Sequence, residues 1–149
     1  MSTLIEKYSW KKAVLIGFGL WIFAFIFALV VMGALGIDPQ DEDKDFGIDH
    51  EDYWTYEAII TPVFIVISLA VLYWYFNSSE IDSEYWVSEA VLAGVTIMII
   101  QFVLDTVFLV ILFEGGLSYF VALVTVSYLL IPVWSLLVGY FVRVYCSQA

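Results

Sequence analysis

Four long apolar stretches dominate the hydrophobic pattern of the chain. They run over residues 13–36, 55–76, 87–113 and 117–142, with short polar segments between them. A helix needs about 20 apolar residues to cross a hydrocarbon core. The apolar residues follow one another continuously, without the alternation of a membrane barrel strand. The pattern predicts an all-α, polytopic membrane protein: one domain over 1–149 with four transmembrane helices.

Aromatic residues and one short turn refine this architecture. The turn Glu114-Gly115-Gly116 is so short that the third and fourth helices should form a tight antiparallel hairpin, and the first two helices form another. Tryptophan and tyrosine favour the headgroup level of a bilayer. Such residues flank the stretches: Trp10, Tyr53, Trp54, Trp74, Tyr75, Tyr85, Trp86 and Tyr140.

Composition makes lipid the solvent for much of the chain. The sequence is 63% hydrophobic and 14% charged, and its mean hydropathy is +0.96. Soluble domains have about 45–50% apolar and about 25% charged residues. A soluble core of 149 residues cannot hide such an excess of apolar surface. The lipid bilayer is therefore the first predicted partner, with a second copy or another membrane protein as a further one. No nucleic acid partner is predicted.

The few cations predict the orientation. Lys7, Lys11 and Lys12 precede the first stretch and Arg143 follows the fourth, whereas only Lys44 lies in a loop. The positive-inside rule places both termini in the cytoplasm of a multi-pass cell-membrane protein. A cleaved signal peptide is the alternative for the first stretch. Because signal h-regions have only about 7–15 apolar residues, a retained helix is favoured.

Acidic residues crowd the segments between the helices. The first segment reads DPQDEDKDFGIDHEDY and the second, NSSEIDSEYWVSE, has no cation; the net charge is −11. Strong acidity with scarce lysine keeps proteins hydrated in concentrated salt, so a halophilic source is predicted. An acidic loop in an ordinary microbe is the alternative.

The spacing of the aspartates in the first acidic segment partly matches a calcium-binding loop. Asp41, Asp43, Asp45 and Asp52 fall at positions 1, 3, 5 and 12 of a calcium-loop register. The required glycine at position 6 is Phe46, and position 12 is not glutamate. A solvated acidic loop is favoured over a calcium site, and no metal site is predicted.

Signals for an enzyme are missing from the sequence. Cys146 is the only cysteine and His50 the only histidine, so neither a paired-cysteine redox site nor a zinc site is expected. Phosphate-loop, nucleophile-elbow and zinc-protease motifs are absent. We predict no catalytic residue and no cofactor. A membrane enzyme using Asp105 and hydroxyl groups is the remaining alternative.

Short internal similarities indicate a duplicated hairpin as one hypothesis. AVLIG at 13–17 resembles AVLAG at 90–94, and PVF at 62–64 resembles PVW at 132–134. Two hairpins in the same orientation would form a parallel repeat with an axis along the membrane normal. The alternative is chance similarity between apolar helices.

Asp105 is the one carboxylate deep within an apolar stretch. It precedes Glu114 by nine residues, or roughly 13 Å of helix, and so is expected near the midplane. An ionised aspartate there costs about 2.5–3.5 kcal/mol on insertion scales. It must therefore face the bundle, be protonated or have partners. The candidate partners are Gln101, one turn earlier, and hydroxyls on other helices: Thr61, Ser68, Thr125, Ser127 and Ser135.

Two prolines reinforce the prediction of a polar interior. Pro62 and Pro132 should kink their helices and free backbone carbonyls near Ala58 and Tyr128. Neighbouring hydroxyls or water usually satisfy such carbonyls. Two interpretations of Asp105 stay open: a hydrogen-bonded clasp between helices, and a proton, ion or ligand site.

The second half of the chain resembles a group of uncharacterised small four-helix membrane proteins of archaea and bacteria. In that group a glycine-containing third helix ends in Leu-Asp, here Leu104-Asp105, and the fourth reads Tyr-Leu-x-Ile-Pro, here 128–132. The resemblance implies the fold and no activity. From the residues we expect a non-catalytic interaction or accessory protein. The alternative is a small proton- or ion-coupled transporter or channel, acting as a homo-oligomer with Asp105 in a polar interior.

Overall fold

Four helices make up the computed structural model, which describes residues 8–37, 52–78, 83–108 and 123–145. They are α1 (Trp10–Leu35), α2 (Tyr53–Asn77), α3 (Trp86–Asp105) and α4 (Leu123–Tyr140). A 3-10 turn, Ser83–Tyr85, precedes α3, and a π-helical turn, Phe141–Tyr145, follows α4. No strand occurs in these ranges. All four helices are long and apolar enough to cross a membrane, which confirms the all-α polytopic fold.

The helix ends differ from the apolar stretches by a few residues. Helix α1 begins at Trp10 rather than residue 13, because its first turn is built from interfacial and charged residues that an apolar count leaves out. Helix α2 is longer than 55–76 at both ends for the same reason. The regular part of α3 stops at Asp105, and a π-helical turn continues it to Phe108. The predicted end at 113, the turn at 114–116 and the predicted start at 117 lie outside the described residues.

Glycine ends α1. Gly36 has a φ of 72°, a left-handed conformation that costs glycine no Cβ clash. The N–H of Ile37 donates to the carbonyl of Met32 at 2.9 Å, and that of Gly36 donates to Gly33 at 3.3 Å. These bonds satisfy carbonyls that the last turn would leave unpaired.

A lysine from α1 closes the end of α2. The hydroxyl of Ser78 donates to the carbonyl of Tyr75 at 3.1 Å. The carbonyl of Ser78 in turn accepts a bond from Lys12 Nζ at 2.8 Å. A cation suits this position because the C-terminal end of a helix carries partial negative charge. This contact pins the start of α1 to the end of α2, and we name this side of the bundle the terminal end. The opposite side is the loop end.

The helices form a ring in the order α1, α2, α4, α3. Extensive contacts join α1 to α2, α2 to α4, α4 to α3 and α3 to α1. Helices α1 and α3 are therefore parallel neighbours. A two-fold axis along the membrane normal would instead put α1 and α3 at opposite corners. The duplicated hairpin stays a prediction, but the described helices do not have the axis expected for a parallel repeat.

Helices α3 and α4 approach each other closely at two glycines. A Cβ added to Gly94 would lie 2.6 Å from the Cα of Pro132, and one added to Gly139 would lie 3.2 Å from the Cβ of Ala90. At Gly94, only glycine permits this separation of the two backbones. Small residues serve the same purpose in many membrane bundles, where close packing replaces the hydrophobic effect.

Apolar side chains occupy both the inside and the outside of the bundle. Leu72, Phe76 and Ile97 are fully buried, whereas Leu15 is 71% and Val66 63% exposed. A soluble protein would not display so much contiguous apolar surface. The outer surface therefore fits lipid, and the polar side chains inside are the unusual feature.

Candidate functional site

Asp105 receives hydrogen bonds from two other helices. Trp21 Nε1, on α1, donates to Asp105 Oδ1 at 2.7 Å. The hydroxyl of Tyr128, on α4, donates to Asp105 Oδ2. All three side chains are buried. The carboxyl group therefore joins α1, α3 and α4, and each of its oxygens has a donor.

Gln101 makes a second bond to α1, one turn away. Its Nε2 donates to the backbone carbonyl of Gly17 at 2.8 Å. The Gly17–Gln101 and Trp21–Asp105 pairs have the same sequence separation, 84 residues, as parallel helices in fixed register require. Gly17 also allows the close approach, because a Cβ there would lie 2.9 Å from Ile100 Cδ1.

The Asp105 group lies level with the middle of α1. Trp21 is eleven residues from the first residue of α1 and fourteen from the last, or roughly 16 and 21 Å along the axis. The depth of the group in a membrane stays a prediction. Trp21 also packs against Phe25, with ring centroids 5.1 Å apart, and against Phe108, at 4.8 Å. Aromatic rings thus pack against the indole that donates to the carboxyl group, a low-dielectric setting in which this hydrogen bond matters more.

Two of the predicted hydroxyl partners of Asp105 donate to other groups instead. Ser135 is buried and donates to the carbonyl of Ala90 at 2.8 Å. Thr61 donates to Glu57 Oε2 at 2.9 Å. Ser68 is buried, Ser127 is partly buried, and the side chain of Thr125 lies outside the described residues. Pro62 and Pro132 lie inside α2 and α4 as predicted.

The aromatic donors were missed because sequence patterns count tryptophan and tyrosine with the apolar residues. Sequence patterns single out Tyr128 only for its backbone carbonyl and as the first residue of the Tyr-Leu-x-Ile-Pro motif. One signal was available for Trp21: Gly17 and Trp21 are four apart, as are Gln101 and Asp105. When two helices pack in parallel, residues four apart on one helix can each face a residue four apart on the other. Gly17 then faces Gln101, and Trp21 faces Asp105.

A second buried carboxylate lies at the terminal end. Glu89, in the first turn of α3, is fully buried, and its Oε2 is 3.7 Å from Arg143 Nη2. Nearby, the Tyr8 hydroxyl donates to Thr96 Oγ1 at 3.2 Å. Burial raises the pKa of Tyr8 above its usual value, so this hydroxyl stays a donor. In the sequence, Glu89 is the last residue of the acidic segment NSSEIDSEYWVSE, which the hydrophobic pattern places between helices.

A third carboxylate, Glu57, lies in α2 toward the loop end. It is only 7% exposed. The described residues thus bury three carboxyl groups at three depths: Glu57, Asp105 and Glu89. Among the described residues, no three histidine, cysteine, aspartate or glutamate side chains form a group able to hold a metal ion.

Several candidates for metal or thiol chemistry cannot be placed in this geometry. The calcium-register residues Asp41, Asp43 and Asp45 lie outside the described residues, as do His50 and Cys146. The interior site therefore consists of the Asp105 group, which binds three helices together.

Comparison of the chain with protein families, with characterised proteins and with solved structures gave no match.

Proposed function

We propose that the protein is a non-catalytic interaction or accessory protein of the cell membrane. The observation that supports this most is the Asp105 group. Both carboxyl oxygens accept bonds from side chains on other helices. A carboxylate that serves an ion directs its oxygens at that ion, whereas here both oxygens are directed at protein donors.

The other interior polar contacts have the same character. Gln101 bonds α3 to α1, and Ser135 bonds α4 to α3. Interhelical hydrogen bonds of this kind are worth about 0.6–2 kcal/mol each in membranes. Together they favour one fixed arrangement of the four helices. The function of a bundle fixed in this way resides on its outer surface, which meets lipid and a membrane-embedded partner, either a second copy or another protein.

The proposal includes the orientation and the habitat. Both termini are cytoplasmic, because the cations cluster at the terminal end and the positive-inside rule applies. The acidic segments are those of a protein that stays hydrated in concentrated salt. The resemblance to small uncharacterised four-helix membrane proteins is part of the same proposal.

The orientation can be tested by cysteine labelling. In a Cys146→Ala background, a membrane-impermeant maleimide should modify a cysteine at Gln40 when added outside intact cells. It should modify a cysteine at Ser79, and native Cys146 in the parent chain, only after the cells are opened. Labelling of Ser79→Cys from outside would reverse the assignment.

A proton or ion relay is the second candidate function. The three buried carboxyl groups at three depths favour it, since intramembrane acids mark many proton paths. It conflicts with the position of the Asp105 oxygens, each of which already accepts a bond from a protein donor. In a relay, the transferred proton or ion would compete with Trp21 and Tyr128 for the carboxyl oxygens.

Flux measurements separate the two functions. Under the accessory-protein proposal, purified protein in liposomes should conduct neither protons nor sodium ions above the rate of empty liposomes. Asp105→Asn should behave as the parent chain does. The relay would be established instead if the parent chain conducted ions and Asp105→Asn abolished this flux. Glu84→Gln, at an exposed carboxyl group, is the control and should leave the flux intact.

A further inference from the structure

We infer that the bundle interior holds ordered water between α2 and α3, bound to Gln101 Oε1 and Ser68 Oγ. Both side chains are 1% exposed. Neither of these two atoms has a hydrogen-bond partner among the described residues. A buried polar atom without a partner loses its bonds to water and gains none in return, so each atom requires a ligand.

The orientation of the Gln101 amide is fixed by its other contact. Its Nε2 donates to the Gly17 carbonyl, which can only accept. Rotating the amide by half a turn would set two oxygens against each other. Oε1 is therefore the group that faces the interior, and it needs a donor.

The two atoms lie at similar depth. Tyr8 bonds to Thr96 and lies beside Tyr75, so Thr96 and Tyr75 mark one level near the terminal end. From that level, Gln101 is five residues along α3 and Ser68 is seven residues along α2. These separations correspond to about 7.5 and 10.5 Å. The two side chains thus lie at similar depths along the bundle axis.

Water fits this pair of atoms better than a cation does. A water molecule donates to the amide oxygen and exchanges bonds with the serine hydroxyl, and buried waters typically make about three such bonds. A metal cation requires about six oxygen ligands. The adjacent Asp105 oxygens already accept from Trp21 and Tyr128. Water also adds no charge to a low-dielectric interior.

Ser68→Ala tests the inference because a site with water and a site without water predict opposite changes in the midpoint of thermal unfolding. If the hydroxyl binds water, its removal should lower the midpoint of thermal unfolding of the full chain in detergent by several degrees. If the site is dry, removing an unsatisfied buried hydroxyl should raise the midpoint or leave it unchanged, which would overturn the inference. Ser135→Ala, at a hydroxyl with a protein acceptor, is the control and should lower the midpoint.

A second measurement detects the water directly. In ¹⁵N-labelled protein, magnetisation should pass from water to the Gln101 side-chain amide, and Ser68→Ala should reduce this transfer. The absence of transfer in the parent chain would contradict the inference. A cation site would be shown by an unfolding midpoint that is higher in sodium or potassium chloride than in choline chloride. If this rise occurs only when Ser68 is present, the site binds a cation and the inference of water is overturned. None of these readouts depends on flux or on a partner.

Discussion

Asp105→Leu should destabilise the folded bundle by a few kcal/mol while leaving it able to insert. Leucine cannot accept the bonds from Trp21 and Tyr128. Each orphaned donor costs about 1–3 kcal/mol. Removing the carboxyl group also removes the cost of burying it, which offsets part of this loss. The net loss should therefore be about 2–4 kcal/mol, measured by thermal or denaturant unfolding in detergent.

Asp105→Asn is the matched control and should be nearly silent. Its Oδ1 can still accept from Trp21, and its Nδ2 can donate to the Tyr128 oxygen once that hydroxyl turns. Both interhelical contacts then survive without a titrating group. An asparagine variant as unstable as the leucine variant would show that charge, rather than hydrogen bonding, holds the helices together.

Gly94→Ala should separate α3 from α4. The added methyl group would lie 2.6 Å from the Cα of Pro132, and backbone atoms cannot move aside as a flexible side chain can. Overpacking of this kind costs about 1–3 kcal/mol, occasionally more. The measurements are the unfolding midpoint and the efficiency of a disulfide between Ala90→Cys and Ser135→Cys, which should fall in the variant.

Gly19→Ala provides the control for that substitution. Gly19 is on the same kind of apolar helix, but a Cβ there meets nothing within 4 Å. Alanine should be neutral or slightly stabilising, because glycine is the poorer helix former. Equal losses at Gly94 and Gly19 would refute the close-crossing explanation.

Composition and apolar length predicted the helices well because a bilayer leaves the backbone little choice. A chain in hydrocarbon must satisfy its own N–H and C=O groups, and a helix does so locally. The ends of α1 and α2 differed only where interfacial residues such as Trp10 and Tyr53 extend the helix. The burial of Asp105 followed from the same energetics.

The partners of Asp105 could not be derived in this way, because they depend on which helices are neighbours. That order is set by close contacts such as Gly94 against Pro132 and Gly17 against Ile100. The similarity of AVLIG and AVLAG indicated equivalent roles, yet the two glycines meet different helices. Tyrosine and tryptophan add a further difficulty, since either can face lipid or donate inside.

The parallel pairing of α1 with α3 has a consequence for the order of assembly during synthesis. Tyr128 belongs to the same hairpin as Asp105, so α3 and α4 can neutralise much of the cost of the buried carboxyl group as they insert together. Trp21 and the Gly17 carbonyl, by contrast, belong to the first hairpin and lack their α3 partners until the second hairpin has inserted. Docking of the two hairpins is therefore a separate, later step, driven by polar contacts that neither hairpin can make alone. Two hairpins produced as separate chains, divided within residues 79–82, should accordingly find each other in the membrane.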